Sequence, residues 1–168
     1  MLSIIAACDD DNLIGVNGQL PWYNKGDLEF FKKKTLNNIV IMGRETWESI
    51  GSDPLPGRIN IVLTRKADDV HLSGAVFKKS LLEALRYARK FVEKEIFIIG
   101  GEQVFKEALP LSDTIYLAKI PGSHIQNFPY PHDECYFPDI DPKKWSLKAN
   151  IKHETFTFRE YHRIALDW

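Results

Sequence analysis

Four short apolar runs, residues 2–7, 39–42, 59–63 and 95–99, constrain the fold of this chain more than any other feature. Each has strand length and ends in polar or turn-forming residues, so each reads as a buried strand. Helical spacing fills much of the chain between them. Over residues 27–36, Asp27, Leu28 and Phe31 fall near one helix face. Residues 45–50 read as a short helix. Leu81, Leu82, Leu85, Ala88 and Val92 form an apolar stripe over about residues 80–93, opened by Ser80 with Glu83 three positions on. Another helix follows Gly100-Gly101 through about Leu109, where Pro110 and Ser112-Asp113 break it. Strands alternating with helices predict an α/β layer fold, with the most apolar run, 95–99, near the centre of the sheet. Residues 74–77 and 114–120 read as further strands. Residues 145–151 and 155–166 read as a closing antiparallel pair, the second with alternating Phe156, Phe158 and Tyr161. Residues 121–142 read mostly as loop. With no repeat or linker, the chain is expected to be one domain over residues 1–168.

Charge and cysteine content narrow the function. With 168 residues and a formal net charge of -1, the chain offers no electrostatic reason to bind nucleic acid or an acidic membrane. No run approaches the ~20 apolar residues of a membrane span. Cys8 and Cys135 are too few and too far apart for a disulfide framework or a zinc site, which points to a reduced, cytoplasmic protein. Ile5-Ala-Ala-Cys8 superficially matches a lipoprotein cleavage site but lacks the basic region and long apolar run that such a signal needs.

Residues 12–22 combine Gly15, Gly18 and Pro21 with Leu13, Ile14, Val16, Leu20 and Trp22. A segment both glycine-bearing and apolar suggests a flap that closes on something flat and apolar. Behind it Asp27 is a carboxylate among apolar groups, either a helix cap or a functional acid. The preceding acids, Asp9 to Asp11, read as a solvated turn, and Lys32 to Lys34 as a wet helix face. Two strand-glycine-helix junctions, at Gly43-Arg44 and at Gly100-Gly101, would present helix N-terminal amides at one edge of the sheet and could hold a diphosphate. The usual dinucleotide fingerprint and the P-loop pattern are absent. Thr64 and Arg65 end the third run and, with Arg44, could take an extra phosphate, favouring NADP over NAD. Arg58, on the rigid Pro54-Leu-Pro-Gly turn, suits a carboxylate or lies on the surface. His124, His132, Asp133, Glu134 and Cys135 match no metal motif.

Together Ile14-Gly15, Leu20-Pro-Trp22, Asp27-Leu28, Phe31-Lys32, Val40-Ile-Met-Gly-Arg44, Thr46-Trp-Glu-Ser-Ile50, Pro54-Leu-Pro-Gly-Arg58, Leu63-Thr-Arg65, Ile99-Gly-Gly101, Ile115-Tyr-Leu117 and Tyr136-Phe-Pro-Asp139 resemble the bacterial dihydrofolate reductases over nearly the whole chain. The resemblance implies an eight-stranded, mostly parallel mixed sheet with an antiparallel C-terminal edge and about four flanking helices. It implies NADPH-dependent reduction of 7,8-dihydrofolate to tetrahydrofolate in one-carbon metabolism, no metal, and binding of antifolate-type molecules; with no obvious extra apolar face, the chain is expected to be a monomer. Asp27, with Trp22 and Leu20 beside it, would promote protonation at N5 of the pterin as hydride reaches C6. Ile5, Leu28, Phe31, Lys32, Ile50, Arg58 and Ala118 would border the substrate, with Arg58 taking the glutamate α-carboxylate. Ala7, Ile14 and Thr46 would border the nicotinamide, and Arg44, Thr64 and Arg65 would hold the 2′-phosphate end of the cofactor. Gly100 and Gly101 would approach it closely, with a cis bond between them. Gly15, Gly18, Gly43, Leu63, Lys79, Ile99, Gln103, Val104 and Phe105 would also bind the cofactor.

Three positions depart from the family pattern. Ala118 stands where many members have a threonine bonded to the active carboxylate. Phe105 stands where many have tyrosine. Residues 121–132 look longer than usual, which leaves open how that loop couples to the flap. The related reductase of riboflavin synthesis, and a noncatalytic NADPH- or folate-binding module, are the competing readings. Asp27 and the Arg58 turn speak against the first, and Ala118 alone favours the second.

Overall fold

The computed structural model describes residues 1–66 and 74–165. Strand β1 (Leu2–Cys8) leads through a short strand β2 (Leu13–Val16) to helix α1 (Lys25–Thr35). Then come β3 (Ile39–Gly43), α2 (Arg44–Ser49), β4 (Ile59–Leu63), β5 (Ala75–Lys78) and α3 (Leu81–Ala88). β6 (Ile96–Gly100), α4 (Glu102–Ala108), β7 (Thr114–Lys119), β8 (Glu134–Tyr136), β9 (Trp145–Lys152) and β10 (Thr157–Arg163) complete the order.

The main sheet has eight strands in the order β5-β4-β3-β6-β1-β7-β10-β9. Pairings from β5 across to β7 are parallel, and β10 pairs antiparallel with both β7 and β9. β6 lies inside the sheet, as its unbroken apolar run requires, since both of its faces are covered. The strand period of two then separates neighbours. Ile39 and Ile41 of β3 pack on one face with Leu81 and Leu85 of α3 and Phe105 of α4. Val40 and Met42 pack on the other with Trp47 of α2 and Phe31 of α1. Helices thus cover both faces, and no helix among the described residues is long and apolar enough to cross a membrane.

Several expectations need correcting. Helix α3 ends at Ala88, so Val92 is not on its apolar stripe and is 90% exposed. Glu83 accepts the Lys79 N–H while Ser80 caps the Glu83 N–H. On β10, Tyr161 follows Phe158 by an odd number of residues. It therefore packs on the opposite face, where Ile115 lies, and leaves the alternation. Leu166, expected to end that strand, lies outside the described residues. Residues 121–142 are mostly loop, but they also hold β8, which pairs antiparallel with β2, the strand that opens the expected flap. Lys34 is not on a wet face. Its ammonium lies 4.6 Å from the Tyr116 ring centroid and 5.9 Å from those of Phe30 and Phe158, a cation held over aromatic faces.

Candidate active site

The Asp27 carboxylate sits on the first turn of α1 without capping it. Asn24 is the cap: its Oδ1 accepts the Asp27 N–H at 2.9 Å. Asp27 is 7% exposed, and among the described residues no side chain pairs with its carboxylate. Burial alone pushes its pKa up to about 6. Desolvation outweighs the helix N-terminus, which favours the charged form. Leu20, Tyr23 and Leu28 close by in sequence remain exposed, an apolar lip rather than core.

Asn24 does more than cap. Its Nδ2 donates to the Thr155 carbonyl at 2.9 Å, and the Thr155 hydroxyl donates to its Oδ1 at 3.0 Å. The β9–β10 turn is thereby fastened to the helix end that carries Asp27. Gly26 makes the close approach possible, since a Cβ there would stand 3.1 Å from Thr155 Oγ1 and 3.3 Å from Phe156 Cε1.

The flap is tied down along its length. Beyond the β2–β8 pairing, the Asn17 N–H donates to the Asp133 carbonyl at 2.8 Å, and the Asp133 N–H donates to Asn17 Oδ1 at 2.9 Å. Gly18 takes the left-handed φ of +78° at the tip, whereas Gly15 does not use that freedom. At the flap's start, Asp9 is fully buried instead of solvated. Its Oδ1 accepts the N–H groups of Asp11 and Leu13, and its Oδ2 accepts that of His124. Burial pushes its carboxyl upward, but these donors and the His124 ring win and hold it below the usual range. Trp22, at the flap's other end, packs with Ala118, Ile120 and Phe156, and its buried indole N–H has no hydrogen-bond partner among the described residues. Ala118 is itself buried, in register with Ala7 on one side and Phe158 on the other.

The two glycine junctions lie side by side at the ends of β3 and β6. A Cβ on Gly43 would stand 3.1 Å from Val104 and 3.9 Å from the Gly101 nitrogen, and one on Gly100 or Gly101 would stand 3.4 or 3.5 Å from Thr46 Oγ1. The Gly100–Gly101 peptide bond is cis. Gly43 and Gly101 are the N-caps of α2 and α4, and neither helix start has a side-chain cap. Uncapped amides facing a glycine-lined cradle suit a diphosphate. Register brings the basic group together at the same edge. Gly43 lies opposite Leu63 and Leu63 opposite Lys78, so Arg44, Thr64, Arg65 and Lys79 all follow adjacent strand ends. Arg44 is held to Glu48 at 2.8 Å but remains 58% exposed.

Arg58 is braced from two sides, donating from Nε to the Pro56 carbonyl and from Nη1 to Thr35 Oγ1. The buried Asn60 locks the turn beneath it. Its amide accepts from the Leu55 N–H and donates to the Leu55 and Arg58 carbonyls. Phe31 and Ile50 pack partly buried against the cluster of Ile5, Val40, Met42 and Trp47, while Lys32 is exposed. Ile5 is buried, and Ile14 and Ala7 are partly so. Phe105 packs on Phe137 at 5.2 Å, and Gln103 is exposed. Among the described residues no group of His, Cys, Asp or Glu side chains is placed to hold a metal; His132 instead faces Glu134.

Sequence reasoning missed Asn24, Asn60 and the structural use of Asp9 and His124. Asn24, three residues before Asp27, carries the ordinary signature of a helix cap. Asn60 interrupts an apolar strand, a signal that a buried amide is at work. Nothing local marks the pairing of Asp9 with His124, which lie 115 residues apart.

A family model described as dihydrofolate reductase matches residues 1–164. The dihydrofolate reductase of Neisseria gonorrhoeae is 36% identical over 166 residues, 95% of this chain and 96% of the relative. That of Bacillus subtilis is 39% identical over 150 residues, 89% of this chain and 83% of the relative. Among solved structures, dihydrofolate reductase from Enterococcus faecalis complexed with NADP(H) and RAB-propyl superposes with a TM-score of 0.84 at 36% identity, over 97% of this chain and 96% of that one.

Proposed function

The chain belongs to the dihydrofolate reductase family, and from that premise we propose how its cleft carries the family's reaction. It is an NADPH-dependent oxidoreductase that reduces 7,8-dihydrofolate to 5,6,7,8-tetrahydrofolate. When bound, NADPH supplies the hydride that is added at C6 of the pterin.

The observation that carries the residue-level reading is the buried, unpaired Asp27 with its pKa at about 6. A carboxyl poised there can hold a proton near neutral pH and hydrogen-bond the pterin ring, favouring protonation at N5. Trp22 and Leu20 close the pterin end and exclude water. The Ile5 carbonyl binds the pterin amino group; Leu28, Phe31 and Ile50 line the apolar slot, with Ala118 at its floor. Arg58, already aimed by Pro56 and Thr35, takes the glutamate α-carboxylate, with Lys32 at the rim.

The cofactor residues fit the group they are assigned. The Gly43, Gly100 and Gly101 cradle would be filled by any Cβ, and the amides of the two uncapped helix starts face it. Thr46, Ala7, Ile14, Gly15 and Gly18 would border the nicotinamide, and Ile99, Gln103, Val104 and Phe105 the length between. Arg44, Leu63, Thr64, Arg65 and Lys79 would hold the 2′-phosphate end. Antifolate-type molecules would compete in the Asp27 slot, and one chain supplies every residue named, so a monomer suffices.

Asp27→Asn tests the assignment. The acid reading requires turnover to fall while NADPH and dihydrofolate still bind. A noncatalytic binding module would have no turnover to lose, and turnover unaffected by the substitution would remove Asp27 from the chemistry.

A further inference from the structure

We propose that His124 is a positioning residue for Trp22, set in place by the buried Asp9 carboxylate, and that this contact holds the closed edge of the pterin slot. The proposal rests on the assignment of Trp22 to that slot. His124 lies in the segment between β7 and β8, far from Trp22 in sequence. Its backbone N–H and its Nδ1 both face Asp9 Oδ2, at 3.0 and 3.2 Å. A carboxylate that accepts at Nδ1 fixes both the tautomer and the ring's orientation. The fixed ring then packs against Trp22 with centroids 5.4 Å apart and planes tilted by 59°. This is an arrangement that an aromatic pair favours.

The contact brings together the start of the flap, the 121–132 segment and Trp22. Asp9 Oδ1 holds the start of the flap through the Leu13 N–H, while Oδ2 holds the 121–132 segment through His124. Trp22 ends the flap. Asp9, His124 and Trp22 therefore pin both ends of the flap to one buried anchor. Neighbouring charges reinforce it. Lys119 donates to the Asp9 carbonyl and to Asn12 Oδ1, and Asp10 accepts the Gly122 N–H. Asp11 accepts from Ser123. Trp22 also packs on the cluster of Ala118, Ile120 and Phe156, but among the described residues His124 is the ring paired with its indole, so loss of the imidazole removes that aromatic contact.

Two readouts test the proposal. The first is the emission of Trp22, taken as the difference between the protein and its Trp22→Phe variant. The expected result is a change in its emission maximum and intensity in His124→Ala, where the ring beside the indole is lost, with part of that change recovered in His124→Phe. The second is the rate of hydride transfer. His124→Ala should slow it by about tenfold and raise the KM for dihydrofolate but not for NADPH, the scale of a slightly misplaced group. His124→Phe, which restores a ring, should recover part of that loss. Should His124→Ala fold poorly, His124→Phe and Asp9→Asn carry the test, since asparagine keeps an acceptor for the Asp11 and Leu13 N–H groups while removing the one that holds His124. Emission and hydride-transfer rate both unchanged by these substitutions, even with lowered thermal stability, would make the contact merely structural and overturn the proposal. The emission experiment needs no substrate, so its failure is distinguishable from a failure of the assigned reaction.

Discussion

At Asp27 the same burial acts on stability and on activity in opposite senses. Its folded pKa, about 6, lies above the ordinary 3.8. The folded state therefore holds more protons than the unfolded one between those values, and stability falls as pH rises through that window. Above it the fold carries a penalty of order 3 kcal/mol for keeping an unpaired carboxylate in place. Asp27→Asn removes the penalty. Thermal melts should show the variant more stable than the natural protein at about pH 8, with the gap closing below about pH 4. Activity runs the other way. Rapid-mixing measurements should show hydride transfer slowed by about 10²-fold or more in the variant, with NADPH affinity unchanged. A variant both less stable and equally active would contradict both halves of this account.

Elements hold that residue where it is useful. Asn24 links the start of α1 to the β9–β10 turn through three hydrogen bonds. Asn24→Ala should cost about 1–2 kcal/mol, read from chemical denaturation. A double-mutant cycle with Thr155→Ala should show coupling, because each removes the other's partner. At the opposite end, Gly57 has φ +73° and a Cβ there would stand 2.7 Å from Leu36 Cδ1. Gly57→Ala should therefore shift the turn that carries Arg58. The expected signature is a raised KM for dihydrofolate with the KM for NADPH unmoved, alongside a loss of about 1–3 kcal/mol of stability. Equal effects on both KM values would mean that the turn does not act through Arg58.

For the molecule as a whole, what could be read in advance follows the range of the interaction. Local pattern was enough for the parallel strands, for α1, and for Asp27 as an acid in apolar company, because those depend on residues a few positions apart. The β2–β8 pairing was not visible, since three residues of a proline-rich segment carry no period of their own and pair with a strand far away in the chain. Asp9 illustrates the same limit. Three adjacent acids look like a wet turn until the chain brings His124 back to one of them. Lys34 looked solvated because helix position alone could not show the rings of Tyr116 and Phe158, which come from the last third of the chain. The cofactor edge lies between these cases. The glycines and basic residues were readable singly, but only the register of β3, β4 and β5 places Arg44, Thr64, Arg65 and Lys79 at neighbouring strand ends. That clustering predicts a preference for NADPH over NADH that narrows in Arg44→Ala and Arg65→Ala. The measurement that tests the central claim most directly is loss of reduced-nicotinamide absorbance, in rapid mixing with dihydrofolate, across the pH range that spans Asp27's titration. The account predicts a dihydrofolate-dependent loss, faster with NADPH, that declines as a single proton is lost from a group near pH 6 and nearly vanishes in Asp27→Asn. A rate flat across that range, or one that Asp27→Asn leaves intact, would contradict it.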